Sequence, residues 1–196
     1  MRFTVSSTAL SSKLNALAKV INSKNSLPIL ADFLFDIQDN VLYLTASDSE
    51  NVINTQMELT ESDANGRFAI NNHDLLEAIK GFSEQPITFD VNLQDNIAKI
   101  SYQNGLFSLP VENADEYPQS QPITEGINTI VMPSNVLADN INRSLFATAQ
   151  DELRPVMNGI YFDLTPEHLA VVASDGHKLV RNDVFTVQSE QPASFI

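Results

Sequence analysis

Apolar residues along this chain switch between two periods, and the switches recur. Phe3 and Val5 alternate with polar neighbours, which predicts a strand, and from Ser7 onward Leu10, Leu14, Leu17 and Ile21 fall at helical spacing. After Pro28 the period returns to two: Phe33, Phe35 and Ile37, a polar Gln38-Asp39-Asn40 break, then Leu42 and Leu44, then a third run over 52–59. One strand, one helix and three strands are predicted. The same order starts again at Arg67-Phe68-Ala69-Ile70, with a helix over 72–82 (Leu75, Leu76 and Ile79 apolar) and strands over 87–91, 97–102 and 106–111. Asn104-Gly105 predicts a two-residue hairpin between the last two strands. A third unit opens with a strand over 127–132 and a helix over 133–148, with Leu137, Ile141 and Leu145 expected inward and Asp139, Asn140 and Arg143 outward.

These periods are part of a longer repeat. Residues 154–181 match residues 127 positions earlier without a gap: Pro155 meets Pro28, Met157 meets Leu30, and Phe162-Asp163-Leu164 meets Phe35-Asp36-Ile37. Leu169, Val171, Ala173, Ser174 and Asp175 meet Leu42, Leu44, Ala46, Ser47 and Asp48. Ser194-Phe195-Ile196 falls on Arg67-Phe68-Ala69 at the same offset. The expected fold is therefore α+β, built of tandem β-α-β-β-β units. Two units make a domain over 1–126, and 127–196 make the first half of a second, so the sequence is expected to be a fragment of a longer protein. Pro110, Pro118 and Pro122 bracket an acidic stretch, 112–121, expected to be a connector.

Composition narrows the function. Twenty-five acidic residues against eleven basic ones give a net charge of -14, which argues against binding phosphate unless the cations are gathered in one place. Lys13, Lys19, Lys80 and Arg143, with Lys24 close by, lie on or near the outer sides of the three helices, and no acid occurs over 1–31. Helices on one side and sheets on the other would give a weakly positive face and a strongly negative one; the plainer reading is that these lysines only solubilise exposed helices. There is no cysteine, hence no disulfide or thiolate site. Nothing resembles a signal peptide or a membrane span, and a cytoplasmic protein is expected.

Ser174-Asp175-Gly176-His177 has the residue types of an acid-base pair, but the earlier copy, Ser47-Asp48-Ser49-Glu50, keeps Ser and Asp and lacks His. Ser-Asp is therefore read as a turn after a strand, and no catalytic residue is expected. His73, His168 and His177 have no companion ligands in sequence, so neither a metal nor any other cofactor is expected; no phosphate-cradling glycine loop occurs.

Taken together, Met1-Arg2-Phe3-Thr4-Val5, Ser26-Leu27-Pro28-Ile29-Leu30, Leu44-Thr45-Ala46-Ser47-Asp48, Phe107-Ser108-Leu109-Pro110, Arg154-Pro155-Val156-Met157-Asn158-Gly159-Ile160 and Val172 through Leu179 are specific. In them the chain resembles the bacterial β sliding clamp family, the processivity subunits of replicative DNA polymerase III. The resemblance implies a DNA-clamp fold of three large repeats per subunit, a head-to-tail homodimeric ring with helices inside and sheets outside, and no catalysis. It implies duplex DNA as a sequence-independent partner, held by enclosure, with the replicative polymerase, the clamp loader and other proteins bearing clamp-binding peptides as protein partners, and no membrane. Carried over by position, Lys24, Arg154, Gln150 and Asp151 fall in DNA-facing places, and His73 and Lys80 on the second helix. Met157, Ser174, Gly176, His177, Lys178 and Leu179 correspond to part of the peptide pocket, and Phe107 and Leu109 to the ring contact. Two other readings remain at this stage: a tandem-repeat interaction scaffold without a DNA role, and a small-molecule enzyme using Asp175 and His177.

Overall fold

A computed structural model describes residues 1–21, 27–118, 129–151 and 153–196. The fold is α+β and divides into two compact units, Met1–Gln121 and Pro122–Ile196.

In unit 1, strand β1 (Arg2–Ser6) runs into helix α1 (Ser7–Leu17), followed by β2 (Asp32–Gln38), β3 (Val41–Ser47), β4 (Val52–Glu58) and the short β5 (Glu61–Ser62). The second half repeats the order as β6 (Gly66–Asn71), α2 (Asn72–Ile79), β7 (Pro86–Asn92), β8 (Ile97–Tyr102) and β9 (Gly105–Asn113). Both helices start where a side chain caps the free backbone donors: the Ser6 hydroxyl accepts from the Ala9 N–H, and the Asn71 carbonyl oxygen from the His73 and Asp74 N–H groups. They are shorter than the periodicity predicts. α1 stops at Leu17, leaving Lys19 in a following turn, and α2 stops at Ile79, where Lys80 turns extended (φ -61°, ψ 127°) and Gly81 (φ 78°) completes a turn closed by the Phe82 N–H on the Ile79 carbonyl.

Each half completes the other. β1 pairs not with its own three strands but with β7, matching Phe3 with Phe89, while β6 pairs with β2, matching Phe68 with Phe35. The outer connections correspond too: Phe3 faces Ser62 in β5, as Phe68 faces Asn113 in β9. All nine strands thus form one antiparallel sheet, in which the two halves have exchanged their first strands about a local two-fold relation. Four fully buried rings lie at its heart: Phe3 stacks on Phe89 at 4.8 Å, and Phe35 on Phe68 at 4.9 Å. α1 packs against α2, and Leu10, Leu14, Leu17, Leu75 and Ile79 seal the core.

Two turns and a connector differ from expectation. The β8–β9 hairpin has Gln103 and Asn104 as its loop residues, since Tyr102 pairs with Gly105. A Cβ at Gly105 would approach the Tyr102 hydroxyl to 2.9 Å, so a larger residue there would have to displace that ring. The left-handed turns occur instead at Asp39-Asn40 and at Asn96, the two matching Gln-Asp-Asn sequences. Of the expected connector, Glu112 is still in β9, and Ala114 and Tyr117 are buried with Ile29, Leu30, Leu34 and Ala69. An acidic stretch can be structural when its few apolar side chains find a second cluster.

Unit 2 contains α3 (Ser134–Ser144), β10 (Tyr161–Leu164), β11 (Leu169–Ser174), β12 (Leu179–Val184) and β13 (Ala193–Phe195). Every strand register is that of unit 1 shifted by 127: Phe162 faces Phe195 as Phe35 faces Phe68, Leu164 faces Leu169 as Ile37 faces Leu42, and Ser174 faces Leu179 as Ser47 faces Val52. Even the aromatic pair recurs, Phe162 on Phe195 at 5.2 Å. Two expectations fail. Among the described residues 129–132 there is no strand, although Ile130 and Met132 pack on the small core of Leu164, Leu169, Val171 and Val187. In unit 1 the corresponding strand, β1, pairs with β7, and none of the described strands of unit 2 corresponds to β7. The inward side of α3 is also rotated: Asn140, Ser144 and Ala147 are buried, whereas Leu137 and Leu145 are exposed. The buried amide survives because Asn140 Nδ2 donates back to the Val136 carbonyl at 2.8 Å, and Asn182 Nδ2 donates to the Ser144 hydroxyl at 3.1 Å.

Candidate nucleic-acid and peptide surfaces

The turn between β11 and β12 is assembled from its own side chains. The Ser174 hydroxyl donates to the Lys178 carbonyl (2.8 Å) and accepts from the Gly176 N–H (3.1 Å), while Asp175 Oδ1 accepts from the His177 N–H (2.8 Å) and the Lys178 N–H (2.7 Å). The backbone donors of Lys178 and His177, in that order, hold the Asp175 carboxyl far below the usual carboxylate range. The same turn occurs in unit 1. Ser47 Oγ accepts from the Ser49 N–H, Asp48 Oδ1 accepts from the Glu50 and Asn51 N–H groups, and Ser49 (φ 82°) stands where Gly176 stands (φ 88°). Asp175 is therefore occupied in building a turn. Its only bonds to His177 run through the latter's backbone, which is no arrangement for orienting an imidazole as a base.

Lys178 ties this turn to the end of α3. Its ammonium donates to the Phe146 carbonyl (3.0 Å), pairs with Asp175 Oδ2 (3.1 Å) and lies 5.9 Å from the centre of the Phe146 ring. On the other side, Arg154 Nε donates to Asp151 Oδ2 (2.8 Å), and a Cβ on Gly176 would lie 3.2 Å from Arg154 Nη1, so the guanidinium rests over the glycine. Met157, half-buried, fixes that loop by accepting from the Ala149 N–H at 2.8 Å. Around this polar frame Phe146, Leu153, Val156 and Leu179 are left exposed, Leu179 by 71%. Apolar side chains held at the surface by a satisfied polar frame are what a short apolar peptide needs. Phe146 is absent from the residues that the sequence points to; an aromatic at the polar end of an amphipathic helix, where the earlier copy has Lys19, is the signal that could have found it.

The expected DNA-facing cations are less uniform. Lys19, Arg143 and Gln150 are exposed, and so is His73. Lys80 is exposed but paired with Glu77 at 2.8 Å, which lowers the carboxyl and raises the amine. Lys13 turns toward the sheet, donating to the Thr55 hydroxyl of β4 at 3.1 Å, and Arg154 is engaged by Asp151 and the turn. Both corrections have one cause: a long side chain finds a nearby acceptor that the sequence pattern does not reveal. Lys24 lies outside the described residues. Phe107 and Leu109 sit on the part of β9 that has a ladder partner only in β8, but both are half-buried against the core, Phe107 beside Phe82 and Tyr102; the bare side chain there is Leu106. Among the described residues no group of three or more His, Asp or Glu is arranged to hold a metal, and no helix is long and apolar enough to cross a membrane.

Comparison with known proteins follows the two units. The family model of the DNA polymerase III beta subunit N-terminal domain matches residues 1–121, and that of the central domain matches 131–196. The chain belongs to the DNA polymerase III beta subunit family. It is 27% identical over its whole length to the beta sliding clamp of Halalkalibacterium halodurans, covering 53% of that protein, and 28% identical over 97% of its length to that of Haemophilus influenzae, covering 51%. The crystal structure of the beta subunit from Thermotoga maritima superposes with a TM-score of 0.87 over 99% of this chain and 52% of that one, at 27% identity. The chain thus spans about half the length of these beta subunits.

Proposed function

We propose that these residues form the first part of a sliding clamp, a non-catalytic subunit that encircles duplex DNA and tethers a replicative polymerase through a peptide surface. One observation carries the reading: two successive family models match in clamp order, on a chain whose two units share every strand register at a fixed offset. In this reading Lys19, Lys80, Arg143 and Gln150 approach phosphates, with the exposed His73 beside them on the second helix, and Lys24 and Arg154 contribute where free. So few cations on a chain of charge -14 give weak binding, and enclosure supplies retention. Met157, Ser174, Gly176, His177, Lys178 and Leu179 make one wall of the peptide surface, with Lys178 and Asp175 as its frame and Leu179 as its apolar contact. Phe107 and Leu109 support the β9 edge through which subunits join into a ring, and an unpaired strand edge is suited to that. The clamp loader belongs to the same reading, as does a cytoplasmic location.

The test is fluorescence anisotropy of this chain on duplexes of unrelated sequence. Binding is expected to be weak and sequence-blind, with three cations giving a slope of about -3 in log K against log salt. The triple variant Lys19→Glu, Lys80→Glu, Arg143→Glu is expected to abolish it. Unchanged binding by that variant would remove the helix faces from the DNA reading.

A further inference from the structure

Unit 1 buries a carboxyl that neither DNA nor peptide binding uses. Asp32, at the start of β2, is 6% exposed, and one side chain donates to it: Asn71 Nδ2 lies 3.2 Å from Oδ1. The oxygen of the same amide caps α2, and Asn72 Nδ2 donates to the Ala31 carbonyl, so the start of β2 is tied to the start of α2. The charged groups facing Asp32 are Glu112 of β9 and Asp74 of α2, both acids, and among the described residues no cation pairs with it. Tyr117 lies close as well and is 2% exposed. It ends a strap in which Asn113 caps the short helical turn Ala114–Glu116, and the strap leads to the unit boundary at Gln121. The Tyr117 side chain packs with Leu34 and Ala69, while its hydroxyl is buried without a hydrogen-bond partner among the described residues.

An unbonded hydroxyl and a carboxylate with a single donor are both costly out of water, and one proton satisfies the pair. We propose that Asp32 and Tyr117 form a proton-operated latch: the protonated carboxyl donates to the tyrosine hydroxyl and fastens the strap to unit 1, and the ionised carboxylate releases the strap and lengthens the connector toward unit 2. Burial, then the Glu112 charge, raise the Asp32 carboxyl from 3.8 to about 6; the Asn71 hydrogen bond opposes this, and Asp74 adds a smaller push upward. The Tyr117 phenol is pushed up to about 12, by burial first, with the Ser47 backbone N–H acting against it and the Asp32 charge adding to it, so it stays a neutral acceptor throughout. Opening the strap returns Asp32 to water and toward its ordinary value. The proton is therefore held more tightly in the closed state. Closure is fully favoured below about 4, weakens as pH rises and has lost this contribution above about 6.

Native-state hydrogen exchange reads the latch at the Tyr117 amide, which donates to the Ala114 carbonyl at 3.0 Å. Its protection factor, corrected for the intrinsic effect of pH on exchange, is expected to fall roughly 100-fold between pH 4 and pH 7.5. Low urea is expected to leave it unchanged, since opening a strap exposes little surface, whereas the amide of Phe35 in the middle of β2 is better protected and responds to urea. Asp32→Asn is expected to keep the high protection at every pH, because its amide donates to the hydroxyl in place of the carboxyl. Tyr117→Phe keeps the ring and removes the acceptor, and is expected to lose protection at pH 4 with little change at pH 7.5. Wild-type protection that does not vary with pH, the same fall in Asp32→Asn, or full protection of Tyr117→Phe at pH 4 would overturn the proposal. So would a Tyr117 amide that matches Phe35 in protection and in urea response, because the strap would then open only when the whole unit unfolds.

Discussion

Leu10 and Leu137 stand at the same place in corresponding helices, above strands with the same register, yet one is sealed and the other is 37% exposed. The same contrast separates Phe68 from Phe195. The three-stranded meander, its turns and the aromatic pair recur in unit 2 with the registers of unit 1, so they go with the local sequence that the two units share. Burial of the helix face is not local. It comes from α2 and from the exchange of first strands, which gives a half its fourth strand and its second pair of rings. Meander and turn are properties of one half, whereas the sealed core is a property of two.

The largest expected effect tests that division directly. Phe35→Ala empties a position in the closed four-ring cluster, where truncation of a buried phenylalanine costs about 3–5 kcal/mol. Phe162→Ala removes the corresponding ring where its stacking neighbour is half open, so the cavity term largely disappears and about 1–2 kcal/mol remains. Urea unfolding followed by circular dichroism, with the two units resolved as separate transitions, measures both. Equal losses would mean that unit 2 is as closed as unit 1, by association or otherwise.

A second difference between the units is electrostatic. Asp32 is 6% exposed, and burial, then the nearby Glu112 carboxylate, push its carboxyl up to about 6, against the lowering effect of the Asn71 amide that donates to it at 3.2 Å. Its counterpart in unit 2 is Gly159, with no side chain to ionise. Because the folded carboxyl holds its proton more tightly than the unfolded one, its contribution favours folding below about 4 and is lost as pH rises through about 6. Asp32→Asn keeps an oxygen and removes the charge. It is expected to stabilise unit 1 at pH 7.5 by about 2–3 kcal/mol, since each tenfold difference in proton affinity between folded and unfolded chain is worth about 1.4 kcal/mol. Little change is expected at pH 4, and none in the unit 2 transition. A variant no more stable than wild type at pH 7.5 would show that the ionised carboxylate is well solvated after all.

The sequence is most legible where structure is local and repeated. The β-α-β-β-β order, the placing of most strands and the reading of Ser-Asp as a turn follow from period and comparison alone, since alternation fixes a strand's face and a repeated dipeptide with only one histidine argues against catalysis. It is least legible where the deciding partner is distant in sequence. The rotated face of α3, the missing strand over 129–132 and the burial of Tyr117 depend on which other segment is present to pack against. Lys13 and Arg154 escape a reading by pattern for a similar reason, because reach to Thr55 or Asp151 is a matter of rotamer and neighbour. The peptide wall is half visible: Gly176 to Leu179 stand out as the unshared part of the repeat, while Phe146, which supports Lys178, does not.

The smallest expected effect lies in the one turn that both units build alike. Ser49 and Gly176 share a left-handed backbone, at φ 82° and 88°, each with its N–H donated to the serine two residues before it and with the preceding aspartate accepting from the next two N–H groups. Gly176→Ala places a Cβ in a conformation that costs an L-residue about 1–2 kcal/mol, and sets it 3.2 Å from Arg154 Nη1, so the guanidinium must move aside. Ser49→Gly relieves the same strain in unit 1, but the freer glycine also favours the unfolded chain, so the net change is expected within about 1 kcal/mol of zero. The two substitutions therefore differ less in stability than in consequence. In unit 2 the displaced arginine lies at the proposed peptide wall, and chemical shifts of the 174–179 amides and of the Arg154 side chain are expected to change together. If Arg154 Nε keeps its resonance position in Gly176→Ala, the guanidinium does not rest on the glycine, and it returns to the cations available for DNA.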